Sequence, residues 1–152
     1  MAELSRKSRL FLAAGKVLRR RSMRPVTRLA STMHALAYRI TKGRAQSRKY
    51  PTMLLSVTRR KTGKTQTVPV IYIEDGGRYV VAAAYSGSDT DPSWWLNLQA
   101  NPVAVVQVRG EAKEVQAALA APDERPSLWQ RLVAMYPYFA EYQQRTRRAI
   151  PV

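Results

Sequence analysis

Arg59, Arg60, Lys61 and Lys64 surround Gly63 in the segment TRRKTGKT, the densest run of cations beside a turn-forming glycine in the second part of the chain. A tight turn of this kind can bind phosphate or carboxylate through its side chains and backbone amides, although an ordinary basic hairpin turn has the same composition. Gly63-Lys64-Thr65 invites comparison with a nucleotide phosphate loop. That motif needs a glycine where this chain has Thr58, and a helix where Val- and Ile-rich sequence follows, so a phosphate loop is rejected. Further on, Ala82-Ala83-Ala84-Tyr85-Ser86-Gly87 offers small side chains that let a planar ligand approach the backbone, or that simply pack a strand end tightly. Trp94, Trp95, Tyr136, Tyr138, Phe139 and Tyr142 could wall such a pocket, while aromatics at helical spacing also serve as core. Asp89 and Asp91 are formal candidates for general acids, but their polar loop favours turn formation or capping of the Trp-rich segment.

Composition removes other chemistries. There is no cysteine, which excludes disulfides, thiolate nucleophiles and sulfur-ligated metals. The one histidine, His34, has no neighbouring carboxylate cluster, so no metal site and no Ser-His-Asp arrangement is expected. The formal charge of +16 is concentrated early: residues 1–49 hold 14 Lys and Arg against the single acid Glu3, a balance of +13, and the remainder carries 12 basic and 9 acidic residues, a balance of +3. Such a patch attracts any polyanion, whether nucleic acid, anionic lipid or an acidic protein.

These residues need a scaffold. At 152 residues and 45 % hydrophobic composition, one domain with a genuine core is expected. Leu4 to Arg21 reads as an amphipathic helix, with Leu10, Phe11, Ala14, Val17 and Leu18 on one arc and Arg9, Lys16, Arg19 and Arg20 on the other. It is too short and too charged to span a bilayer, but suits the surface of an anionic membrane; docking on the domain or mitochondrial targeting are the alternatives. A second helix follows Pro25 to about Ile40, and Lys42, Arg44, Arg48 and Lys49 mark a basic linker. From Pro51 the pattern turns to strands: Met53 to Thr58, Thr67 to Glu74 and Arg78 to Ala84, with Asp75-Gly76-Gly77 as a hairpin connection. Val103 to Arg109 and Glu111 to Leu119 form another hairpin about Gly110, after a short helix from Trp94 to Ala100. Pro122-Asp123 opens a helix through Leu128, Leu132 and Met135, and Tyr138 to Arg147 gives the last. A curled antiparallel sheet of five or more strands, closing toward a small barrel, buries these segments economically.

The segments TRRKTGKTQTVPVIYI, DGGRYVVAAAYSG, DPSWWLNLQANP and MYPYFAEYQQRTRRAIPV together resemble the deazaflavin-dependent nitroreductases of actinobacteria, small oxidoreductases that use coenzyme F420. The resemblance covers residues 50–152 and implies an α+β fold, a split β-barrel of about six antiparallel strands with flanking helices. Residues 1–49 then form a basic helical extension. It also implies that Arg60, Lys61, Thr62 and Gly63 hold the cofactor's phosphate and acidic tail, with Lys64 and Gln66 alongside. Pro69, Tyr72, the loop Ala82, Ala83, Ala84, Tyr85, Ser86 and Gly87, and Trp94 would line the deazaflavin ring; FMN is the alternative cofactor. Tyr136, Phe139 and Tyr142 would close the substrate pocket, with Tyr136 or Tyr142 as proton donor. The chain departs from the family pattern at Gln66, which replaces a tail-binding Arg, and at Ala84 and Tyr85, which replace a Ser and a following polar or basic residue. Phe139 lacks a Tyr hydroxyl, and Lys64 is placed to substitute for the lost Arg.

The function so implied is hydride transfer from reduced deazaflavin to an electron-poor enone, quinone or nitro compound. A non-catalytic carrier of fatty acid, lipid or another cofactor at the membrane is the alternative. Nucleic-acid binding is disfavoured, because the cations do not interleave with aromatics into a stacking surface. The expected location is cytoplasmic, peripheral at the inner face of the cell membrane through residues 4–21.

Overall fold

The computed structural model describes residues 50–152. The helices expected at Leu4 to Arg21 and up to Ile40, and the basic linker after them, lie outside the described residues.

Five antiparallel strands form one sheet in the order β3-β2-β1-β4-β5. They are β1 (Thr52–Thr58), β2 (Thr65–Asp75), β3 (Arg78–Val81), β4 (Val103–Val108) and β5 (Glu111–Gln116). The described residues thus contribute five strands where about six were expected. The central strand β1 is covered on both faces, with Met53, Leu54, Leu55 and Val57 all buried, as a middle strand between two layers must be. The edge strand β5 carries Glu111, Lys113 and Glu114, all exposed, which discourages pairing with another chain.

Alternation along the strands sorts side chains into two cores. Met53, Leu55, Val57, Tyr72, Ala104 and Val106 meet inside the curl of the sheet with Leu98 of α1 (Ser93–Ala100). On the other side, Val80 and Ala84 pack with Leu128 and Leu132 of α2 (Arg125–Met135) and with Phe139 and Tyr142 of α3 (Tyr138–Gln144). Ile150 and Val152 of the C-terminal tail complete this second core.

Two hairpins are tight. Asp75 pairs with Arg78 across Gly76 and Gly77, at φ 53° and 81°, and Val108 pairs with Glu111 across Arg109 and Gly110, at φ 50° and 92°. Positive φ at both central positions matches the twist of the flanking strands. The first hairpin is tied to α2: Arg78 and Arg131 both pair with Asp75, and Arg78 also meets Glu124. The Arg78 guanidinium, and then that of Arg131, hold the Asp75 carboxyl below the usual carboxylate range.

Element ends differ from expectation where the tail intervenes. β3 stops at Val81 rather than Ala84, because the Ala83 N–H bonds to Pro151 O at 2.9 Å. β5 stops at Gln116 rather than Leu119, with the Ala120 N–H bonding to Val152 O at 2.9 Å. The helix expected to open at Pro122-Asp123 begins at Arg125, with Pro126 in its first turn, where a missing N–H costs nothing. The last helix ends at Gln144 rather than Arg147. Gln143 holds the chain after it, donating from Nε2 to Arg148 O at 2.8 Å and accepting at Oε1 from the Ile150 N–H at 3.0 Å.

Candidate active site

The basic turn between β1 and β2 is closed by its own backbone. The Arg59 N–H reaches Lys64 O at 2.9 Å and the Gly63 N–H reaches Arg59 O at 2.8 Å, with Gly63 at φ 68°. Arg59, Arg60, Lys61, Thr62, Gly63 and Lys64 are all exposed. Holding several cations on one turn costs electrostatic energy in the absence of an anion, so an anchor is needed.

Asn97 of α1 supplies it. The residue is 3 % exposed, and its Oδ1 accepts from the Arg60 backbone N–H at 3.2 Å and from Arg60 Nη1 at 3.1 Å. Asn97 Nδ2 donates to Gln66 Oε1 at 2.8 Å, and Gln66 Nε2 donates to Ser93 Oγ at 3.0 Å. A buried amide with both ends bonded fixes the turn to the helix. Gln66, named from sequence as a tail-contact position, therefore spends its amide on bracing. The resemblance to the deazaflavin family gives Asn97 only a place in its helix motif, and nothing in its neighbourhood along the chain points to a turn 37 residues earlier.

The small-residue loop is built differently. Ala83 and Ala84 are buried, at 1 % and 4 % exposure, and Gly87 sits against α3 so closely that a Cβ there would lie 2.6 Å from Tyr142 O. Tyr85, 45 % exposed, and Ser86 face outward with φ of 46° and 55°. Of the ring-lining residues expected, Tyr85 and Ser86 are the exposed ones and Trp94 is half-buried, while Tyr72 is 3 % exposed and packs edge-on against Tyr79 inside the curl. Ala82 and Pro69 are half-buried.

Arg148 reaches this loop from the tail, through Nε to Ser88 O at 2.9 Å and Nη2 to Ala83 O and Ala84 O, both at 3.0 Å. Its Nη1 lies 2.8 Å from Asp91 Oδ1. Asp91, considered as a helix cap, is instead an ion-pair partner, and α1 has no side-chain cap at Pro92. Asp89 is exposed. Sequence reasoning missed Arg148 because it lies in a run of arginines, Arg145, Arg147 and Arg148, and its acidic partner is far away along the chain.

Tyr136, Phe139 and Tyr142, expected to close a substrate pocket, lie behind the loop in the helical core, at 5 %, 5 % and 8 % exposure. The two hydroxyls approach to 3.4 Å. Burial, and then the bond with Tyr142, push the Tyr136 phenol above the ordinary tyrosine range, making it a poorer acid than a free tyrosine. A largely apolar cavity of about 480 Å³ opens elsewhere, lined by Met53, Leu55, Trp94, Trp95 and Leu98 of the first core and reaching Leu128 and Val152 of the second. Trp94 and Trp95 thus face a space that neither the basic turn nor the tyrosine pair enters.

The exposed cations suit a polyanionic ligand, and the outward loop suits a flat one. The family model described as F420H(2)-dependent quinone reductase matches residues 30–152. The chain belongs to that family. A Mycobacterium tuberculosis protein, named provisionally as an F420H(2)-dependent quinone reductase, is 39 % identical over 102 residues, covering 67 % of this chain and 86 % of its own. A second protein of that organism, named as an F420H(2)-dependent quinone reductase, is 33 % identical over 126 residues, covering 79 % of this chain and 85 % of its own. Among solved structures, one titled as an F420-H2 dependent reductase superposes with a TM-score of 0.61 at 36 % identity, covering 66 % of this chain and 90 % of that one. Another, titled as a domain-swapped dimer, gives 0.63 at 34 % identity, covering 79 % and 90 %. The half-barrel with flanking helices is therefore the architecture of F420-dependent reductases.

Proposed function

We propose that this chain reduces quinones with reduced F420. The observation that carries the reading is the exposed cationic turn, pinned by Asn97 to the Trp-bearing helix, in a chain of the F420H(2)-dependent quinone reductase family. Lys61 and Lys64, with Arg59 and the outer edge of Arg60, would hold the anionic tail, and Thr62 and Gly63 would offer hydroxyl and backbone. Tyr85 and Ser86 would bear on the ring from a loop whose small inner residues allow close approach. When bound, the deazaflavin supplies the hydride. The protein binds, orients and keeps water away, work that needs neither cysteine nor histidine.

The Tyr136–Tyr142 pair would reach an acceptor only if the loop moved off it. With both rings buried in the core that holds Ala84, the proton demanded by quinone reduction is assigned to solvent or to the outward hydroxyls of Tyr85 and Ser86. Enones and nitro compounds are the further acceptors proposed, since the same flat, electron-poor chemistry suits them.

The test is loss of reduced F420 absorbance on mixing with a soluble naphthoquinone, run beside an enone and a nitroarene. Quinone turnover that depends on the protein supports the reading; its absence with saturable cofactor binding would move the acceptor class elsewhere. The second reading, a lipid carrier, is favoured by the apolar cavity of about 480 Å³. Acyl chains copurifying with the protein, with no F420 binding, would put it first. Peripheral attachment at the inner face of the cell membrane through residues 4–21 is proposed from the sequence alone; no helix of the described residues is long and apolar enough to cross a membrane. Flotation with anionic vesicles, lost on removal of residues 1–21, tests it.

A further inference from the structure

We propose that Arg148 is a positioning residue of the F420 site, holding the loop from Ala83 to Ser88 in register with the Trp-bearing helix; this rests on the F420 reading above. Its side chain is only 15 % exposed, and its planar guanidinium donates hydrogen bonds to Ser88 O, Ala83 O and Ala84 O, while its Nη1 forms an ion pair with the Asp91 carboxylate at 2.8 Å without hydrogen-bond alignment. A fork of fixed donors can set the spacing of several acceptors at once, which the single ammonium of lysine cannot.

What lies between those acceptors explains why such a fork is needed. Tyr85 and Ser86 stand at φ 46° and 55°, in the left-handed region that side chains other than glycine rarely adopt. Conformations of this kind persist where the surroundings over-determine them. Arg148 grips the carbonyls immediately before this pair and the one immediately after Gly87, so the strained residues are held from behind while their side chains point outward.

The same guanidinium reaches beyond the loop. Asp91 precedes Pro92, which opens α1, and α1 carries Asn97, which holds Arg60. One chain of contacts thus runs from Arg148 through Asp91 and α1 to the basic turn. Arg148 sets the loop that bears on the ring against the element that places the tail, without touching the cofactor itself.

The test is a titration of the full-length protein with F420, read by fluorescence and by iodide quenching of the bound ligand, on wild type, Arg148→Ala, Arg148→Lys and Lys61→Ala, with thermal melts of each. Loss of the clamp in Arg148→Ala is expected to weaken binding about tenfold, the scale of one charge-assisted hydrogen bond, and to increase quenching of the bound ring. Arg148→Lys should recover part of the affinity, because a lysine can satisfy one carbonyl. Lys61→Ala should weaken binding without changing the quenching, since it acts at the tail. Wild-type affinity and quenching in Arg148→Ala would overturn the proposal, as would weakened binding with unchanged quenching. If Arg148→Ala does not fold, a folded Arg148→Lys with wild-type affinity and quenching overturns it equally. Absence of saturable binding by the wild type would overturn the F420 reading itself, an outcome separable from the rest.

Discussion

The basic turn and the small-residue loop, the two parts of the proposed F420 site, are stabilised in opposite ways. The turn keeps Arg59 to Lys64 in water and is anchored at one buried point, Asn97. The loop buries its inner residues, packs Gly87 on the backbone of α3 and is gripped along its length by Arg148. A segment that must meet an ion needs exposure and a single firm attachment. A segment that must present a surface needs support across its whole back.

The sharpest way to break this contrast is a pair of glycine substitutions. In Gly87→Ala the new Cβ would meet Tyr142 O at 2.6 Å and Arg145 Cβ at 2.9 Å, at φ +76°, so neither the backbone nor the helix can yield cheaply. We expect a loss of about 3 kcal/mol in denaturant unfolding, combining left-handed strain with overpacking. Gly63→Ala, at φ +68° with nothing within 4 Å, should lose only the conformational part, about 1 kcal/mol. Equal losses would mean that the loop is no better supported than the turn.

Asn97→Ala comes next. It leaves the Arg60 N–H and the Gln66 amide without their buried partner, and a loss of about 2 kcal/mol is expected. Because the turn would then be unanchored, F420 affinity should fall as well. Lys61→Ala should weaken F420 binding about tenfold while leaving the melting temperature unchanged, since its side chain is exposed. A Lys61→Ala protein that melts early, or an Asn97→Ala protein that binds normally, would erase the distinction between anchor and ligand contact.

Much of the scaffold was legible in the sequence because it is written locally. Asp75-Gly76-Gly77 announced its hairpin, and the segments from Met53 onward announced strands by their Val- and Ile-rich composition between glycine-containing turns. The exposed cation cluster of the basic turn was legible for the same reason, its members being adjacent. Strand and helix ends were misplaced where the C-terminal tail replaces a strand partner, as at Ala83 with Pro151. Asn97 and Arg148 were missed for a shared cause: each acts on residues more than 30 positions away, and no local spacing encodes that. Tyr136 and Tyr142 show the converse, since the family resemblance named them for the pocket while their helical spacing left a core role open, and in the structure they are buried with Ala84 in the helical core.

The smallest effect expected is that of Tyr136→Phe, and it separates support from chemistry. Its bond to Tyr142 is long, at 3.4 Å, so removing the hydroxyl near neutral pH should cost less than about 1 kcal/mol. The pH dependence is more telling. Because burial raises the folded-state ionisation of Tyr136 above that of the unfolded chain, its contribution to stability is complete below the ordinary tyrosine value of about 10 and declines as pH rises beyond it. Tyr136→Phe should flatten that alkaline decline, read as the denaturation midpoint between pH 9 and the alkaline limit of the native fold. Quinone turnover at neutral pH should stay within about twofold of wild type, as expected of a ring that supports the loop and holds back its proton. A fall of about a hundredfold in kcat with stability intact would instead mean that the loop opens during turnover and the tyrosine pair meets the acceptor. The buried back of the site would then be part of its reacting surface.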